Sequence, residues 1–296
     1  MNDIDIVIPW LNPTEKWFSQ YKNYCENESP ARIRDLNTIR PAIRSILKNL
    51  PWIRYIWLIV FDEEQHANLD WEELKNEKIK FVYHRDIIPQ EFLPNFNSLI
   101  PGMYVFNIKD LSEKFLWSND DMIFNKPINK ELFFKNNNCV HKSNSLYSYK
   151  TLTGNTYAGI LNTTVNFINK QFGKYVLSND NHIVKPLNKT IIKFLFDKNK
   201  NELEESIKNS KIRKTKNIYL LDVAYTFEDI FNLCEYDDYK NIKIAVKHLS
   251  DNTKDYEIKN MFDTADIICI NDSEELNKNA SNIKTLIENL TSNLYF

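Results

Sequence analysis

Short apolar runs alternate with helical patterns over the first 128 residues: "DIDIVIPW", a helix, "YIWLIVF", a polar stretch, "KIKFVYH", a helix near 98 to 110, and "KFLWSND". That order is the βαβ rhythm of a mostly parallel sheet covered by helices. Within "RDLNTIRPAIRSILKNL", Ile39, Ile43, Ile46, Leu47 and Leu50 recur at helical spacing and predict one apolar face, with Pro41 tolerated in the first turn. Residues 130 to 180 are rich in Asn, Ser, Thr and Tyr and weakly periodic, which predicts a long-looped insertion or lid, bounded at 130–188, inside a single domain over 1–296. Two helical patterns follow between 189 and 234. Strands "IKIAVKHL" and "ADIICIND" and an amphipathic helix around 274 to 290 then complete an α/β chain.

Open α/β sheets bind ligands beyond the carboxyl ends of their strands. Three strands here end in polar residues: Trp10-Leu11-Asn12, His84-Arg85-Asp86 and Asn119-Asp120-Asp121. The last raises the sharpest question, because adjacent carboxylates repel and must face either open water or a cation. Phe115, Leu116 and Trp117 before the pair, and Met122, Ile123 and Phe124 after it, argue for burial. A strand-to-turn cluster, in which Asn and Asp satisfy local backbone donors, accounts for the same residues. Arg32, Arg34, Asp35 and Arg40 gather at the amino end of the helix that follows. Their guanidinium groups and the helix dipole suit a phosphate, and a solvated basic turn would read alike.

Composition narrows the class. At 296 residues, 43% hydrophobic and 13% aromatic, the chain can bury a sizeable core. A formal net charge of -2 gives no global reason to expect nucleic acid or anionic membrane as a partner, so any anionic ligand must be held by a local cluster. Cys25, Cys139, Cys234 and Cys269 are far apart, with no CxxC pair and no metal-finger spacing, and are expected to be reduced thiols. "MNDIDIVIPW" is too acidic, and too short in its apolar run, for a signal peptide. No stretch approaches the roughly 18 apolar residues of a membrane span, so the expected location is the cytoplasm.

The longer motifs resemble the Stealth family of sugar-1-phosphate transferases, which includes bacterial capsular polysaccharide phosphotransferases and the catalytic part of lysosomal-enzyme N-acetylglucosamine-1-phosphotransferase. A first block is similar at "IDIVIPWLNPTEKW", residues 4 to 17. The second is the most specific: "RIRDLNTIRPAIRSILKNLPWIRYIWLIV" from 32, continuing through "HRDIIPQEFLPNFNS" to "DLSEKFLWSNDDMIFNKPI". A third matches at "NDNHIVKPLNK" and "SKIRKTKNI", and a fourth at "ADIICIND".

The resemblance implies a GT-A or Rossmann-like sheet flanked by helices, with one catalytic domain. It implies transfer of a hexose-1-phosphate from a UDP-sugar, such as UDP-GlcNAc, to a glycan hydroxyl in capsular or surface polysaccharide synthesis, with release of UMP. The other enzymatic reading is a metal-dependent glycosyltransferase releasing UDP. Partners would be a nucleotide-sugar, an oligosaccharide or glycan acceptor and a polysaccharide assembly complex at the inner face of the bacterial membrane, with no nucleic acid. A divalent cation, Mg²⁺ or Mn²⁺, would be held by Asp120, Asp121 and Asp272. Asp272 also opens "DSEE", which reads equally as a helix-capping box. Arg34, Arg40 and Arg213 would meet the diphosphate, and His182 would act as base with His84 as second choice. Asp5, Trp10, Asn12 and Asp35, with Asn97 and Ser98, would contact the donor. Trp10 could equally lie in the core, and Asn97-Ser98 could equally cap a helix.

Overall fold

A computed structural model describes residues 3–25, 33–178 and 183–294. The expected strand rhythm is realised in β1 (Ile4–Pro9), β2 (Ile53–Val60), β3 (Ile79–Tyr83) and β4 (Lys114–Trp117). The intervening helices are α1 (Glu15–Tyr21), α2 (Ile39–Asn49), α3 (Glu64–Ala67), α4 (His84–Ile87) and α5 (Ile100–Met103). β4 leads through Ser118–Asp121 into β5 (Met122–Phe124). The middle of the chain holds β6 (Phe134–Lys135), β7 (Asn138–Lys142), β8 (Leu146–Ser148), α6 (Thr156–Phe172), β9 (Val176–Ser178) and β10 (Lys185–Asn188). The chain continues with α7 (Lys189–Ile207), α8 (Leu220–Ile230), β11 (Glu235–Asp237), β12 (Ile244–His248), α9 (Asp255–Thr264), β13 (Ile267–Asn271) and α10 (Ala280–Leu290).

The central sheet runs β10-β4-β1-β2-β3. Its inner pairs are parallel and β10 lies antiparallel on β4, with Lys185 opposite Trp117. Side-chain alternation sends the two faces of β1 into separate cores. Ile4, Ile6 and Ile8 pack with Ile39, Ile43 and Ile46 of α2, whereas Val7 joins Phe115, Trp117 and residues of α5 to α8. Fully burying each such side chain is worth about 1.5–3 kcal/mol. A second sheet, β12-β13-β5, packs against α9 and α10 through Ile123, Ile268, Ile258 and Ile283. The segment Ser118–Asp121 therefore joins two sheets.

Two sequence expectations change. The weakly periodic 130–180 stretch contains the 17-residue helix α6, started by the Asn155 side chain accepting from Ala158 N and stopped at Gly173, whose φ of 68° is left-handed. Its buried face, Ile160, Leu161, Thr164, Val165 and Ile168, has the right spacing, but interleaved Asn and Thr dilute the pattern. The helix expected near 98 to 110 is only the four-residue α5 followed by a 3₁₀ turn at Val105–Asn107, because Gly102 and Pro101 interrupt it.

Candidate active site

Asp120 and Asp121 lie past the carboxyl end of β4, where Ser118 N still bonds to Val7 O of β1. Antiparallel pairing of β13 on β5, with Cys269 opposite Met122, carries the carboxyl end of β13 back to the acidic pair. Ile270 N donates to Asp121 O at 3.1 Å, and Asp272 follows at the strand end. Arg34 reaches this point from the loop before α2 and donates through Nη1 to Asp272 Oδ1 at 2.8 Å. The neighbouring β12, parallel to β13, ends with His248, whose Nδ1 accepts from Asn271 Nδ2 at 2.8 Å.

The electrostatics of this edge are unbalanced. Burial, then the adjacent Asp121 carboxylate and Asp35, pushes Asp120 up to about 7. Burial likewise pushes Asp121 up to about 6, although the Cys269 thiol donates to its Oδ2 at 3.4 Å. Asp272 is raised by burial, partly offset by Arg34 and the Ser273 amide. Asp121 Oδ1 and Asp272 Oδ2 are buried without a hydrogen-bond partner. Two orphaned carboxylate oxygens on adjacent strand ends form a donor set of the hard, anionic kind that suits Mg²⁺ or Mn²⁺. The oxygens of Asp120, Asp121 and Asp272 do not close into a tight triad. Among the described residues the compact three-ligand group is His141, Asp229 and Cys234, elsewhere in the fold.

Several expected site residues go elsewhere. Asp5 sits near the amino end of β1, away from the ligand-binding edge. It is fully buried and accepts from Arg54 Nε and Nη2 at 2.9 and 2.7 Å, Tyr55 N, Trp57 Nε1 and Ser112 N. A carboxylate so fully satisfied braces the start of the sheet. Trp10 is 6% exposed and packs on Trp71 at 5.6 Å, which is the core reading. Asn12 exchanges two hydrogen bonds with Gln65, locking the loop after β1 to α3. Asp272 caps no helix, since α10 begins at Ala280; its Oδ1 accepts from Ser273 N.

The three arginines do not form one cluster. Arg40 on α2 lies over the Trp71 ring at 5.0 Å and pairs with the buried Glu73, which also binds Arg44. Arg213 donates through Nε to Ser98 Oγ at 2.7 Å, so these two meet each other. Asn97 is buried, accepting from Leu99 N and donating to Asn217 Oδ1 at 2.9 Å. Asp35 accepts from Asn37 N and faces Lys284 at 3.6 Å, while its charge still acts on Asp120. Of the arginines, Arg34 alone bonds to the acidic edge among the described residues. His182, like Arg32, lies outside those residues. His84 stands at the end of β3 against Phe61, with Nδ1 buried and unpartnered, and burial lowers it to about 4, so its ring is neutral.

One ion pair escaped the sequence reading. Lys185 on β10 and Asp222 on α8 bind each other in the interior behind Trp117, with the Lys185 ammonium over the Tyr219 ring at 5.5 Å. A lysine inside "IVKPL" and an aspartate inside "YLLDVAY" were the available signals, each a charge within an apolar run.

Residues 32–142 match the family described as Stealth protein CR2, conserved region 2. A capsular polysaccharide phosphotransferase of Actinobacillus suis is 30% identical over 219 residues, 68% of this chain and 58% of the relative. One from Haemophilus influenzae is 28% identical over 223 residues, 70% of this chain and 60% of the relative. The chain thus spans little more than half the length of these curated relatives. Among solved structures, mouse xyloside xylosyltransferase 1 aligns with a TM-score of 0.44 at 12% identity, covering 91% of this chain and 98% of that one, a likeness too low to inform the site. The matched region contains the acidic pair, Arg34 and α2, and by these relationships the chain belongs to the Stealth protein family.

Proposed function

We propose that the chain carries the catalytic domain of a hexose-1-phosphate transferase. It would move a sugar-1-phosphate from a UDP-sugar, UDP-GlcNAc or a similar N-acetylhexosamine, to a glycan hydroxyl in capsular or surface polysaccharide synthesis. The observation that carries this reading is the pair of orphaned buried oxygens, Asp121 Oδ1 and Asp272 Oδ2, beside the Arg34–Asp272 contact at the carboxyl edge of the sheets. Relatives named capsular and exopolysaccharide phosphotransferases support the reaction class.

Phosphoryl transfer depends on positioning and on neutralising charge over the phosphate oxygens. Asp120, Asp121 and Asp272 would hold Mg²⁺ or Mn²⁺, which when bound offsets the negative charge of the donor diphosphate. Arg34, oriented by Asp272, places a guanidinium beside the same phosphates. The acceptor oxygen forms a bond to the phosphorus next to the sugar as the bridging P–O bond to UMP breaks. His182 takes the acceptor proton in this reading. Arg213 and Ser98 would contribute to donor or acceptor binding as one unit. Glycan export would bring the protein to an assembly complex at the membrane. Among the described residues no helix is long and apolar enough to cross one.

The test is incubation with UDP-GlcNAc, a capsular oligosaccharide acceptor and Mg²⁺ or Mn²⁺, with chromatography of the released nucleotide. UMP in step with acceptor consumption supports the reading; UDP would make the protein a glycosyltransferase.

A further inference from the structure

A second group of polar side chains lies buried on elements unconnected with the acidic edge. His141 on β7 is wholly buried, its ring stacked on Tyr225 at 3.6 Å. His141 Nδ1 lies 2.9 Å from Asp229 Oδ1, and Nε2 lies 3.0 Å from Glu228 Oε2. The Cys234 thiol lies 3.3 Å from the same Asp229 Oδ1. Ser145 and Ser178 donate their hydroxyls to Asp229 Oδ2. Ligand atoms of His141, Asp229 and Cys234 all fall within 4.8 Å of one another.

We propose that His141 Nδ1, an Asp229 carboxylate oxygen and Cys234 Sγ form a Zn²⁺ site that fastens β7 to the end of α8 and the turn leading to β11. Imidazole, thiolate and carboxylate together are the donor set of zinc, whereas an all-oxygen set would suit Mg²⁺. The surroundings carry an independent mark of a metal-bound histidine. Its second nitrogen faces a carboxylate, Glu228, which would fix the tautomer with Nε2 protonated and Nδ1 free to bind. The serine hydroxyls would hold the Asp229 carboxylate in the same manner. Three protein ligands leave the fourth tetrahedral position to a water.

The charge balance is simple. Without metal, both ring nitrogens can face carboxylates only if both are protonated, so the cluster buries an imidazolium beside a thiol. Zn²⁺ displaces the Nδ1 proton and the Cys234 thiol proton: two protons leave as one dication enters, and no electron moves. Affinity therefore rises with pH.

Elemental analysis of the purified, desalted full chain tests this, together with Co²⁺ titration of the metal-stripped protein. The expected results are about one Zn²⁺ per chain, lost in Cys234→Ser and His141→Gln, and a near-ultraviolet thiolate-to-cobalt absorption. Cys269 lies beside Asp121, so the comparison with Cys269→Ser is decisive: that variant should keep the absorption and Cys234→Ser should lose it. Should Cys234→Ser or His141→Gln fail to fold, wild type and Cys269→Ser still decide. A zinc-free wild type with no such absorption, an absorption that disappears in Cys269→Ser, or zinc retained by folded Cys234→Ser overturns the proposal.

Discussion

Arg34 and Asp272, 238 residues apart in sequence, meet at 2.8 Å where β13 ends beside the acidic pair. The contact fixes one oxygen of Asp272 and leaves the other buried without a partner. An arginine that holds a carboxylate in place while remaining next to a diphosphate would serve the proposed reaction twice. Arg34→Ala should lower kcat/KM by about 10²-fold, the scale for losing one preorganised donor. Arg40→Ala, whose side chain braces Trp71 and Glu73, should mainly lower the melting temperature. Steady-state kinetics and thermal melts on both variants check this, and equal kinetic losses would contradict it.

Asp121→Asn should abolish turnover and leave the fold intact, since its Oδ1 has no partner to lose. Removing divalent metal with EDTA should do the same to wild type, and adding Mn²⁺ or Mg²⁺ should restore it. Full activity in EDTA would exclude a metal-assisted step. The far-ultraviolet circular dichroism of Asp121→Asn should match wild type.

Asp5 separates a bracing role from a binding one. Asp5→Ala leaves the Arg54 guanidinium and three other donors without their acceptor, and should cost about 3 kcal/mol in stability. Donor KM, measured below the new melting temperature, should be unchanged. A folded variant of normal stability with raised donor KM would restore the donor-binding role.

His84 gives a pH prediction. Its folded value, lowered to about 4 by burial, lies below the unfolded value of about 6.5. Between those values the unfolded chain binds more protons, so stability is lost as pH falls through that window. His84→Gln should show a shallower loss from pH 6.5 to 4.5 in urea unfolding. Parallel curves for the two proteins would contradict the assignment.

The central sheet was legible because β1, β2 and β4 are short apolar runs and α2 keeps an undiluted stripe. The helix α6 was hidden because Asn and Thr occupy positions between its apolar residues. The acidic edge was half legible. The local run "WSNDDMIF" marks Asp120 and Asp121, whereas their meeting with Asp272 depends on β13 pairing with β5 nearly 150 residues later, which no local pattern encodes. The same limit applied to the arginines. Arg34 and Arg40 are six positions apart, yet the chain turns before α2 and sends one to Asp272 and the other to Glu73. The His141, Asp229 and Cys234 group was invisible for the opposite reason, since its ligands lack any finger-like spacing and only the packing of α8 on β7 unites them.

The proposed reaction is defined by which bond breaks, and a UDP-GlcNAc donor carrying ³²P at the phosphorus next to the sugar follows that bond directly. Transfer of sugar-1-phosphate places the label in the glycan, in a linkage that phosphorus NMR identifies as a phosphodiester, with unlabelled UMP as the nucleotide. Label recovered in UDP, with a phosphate-free glycan, would contradict the account.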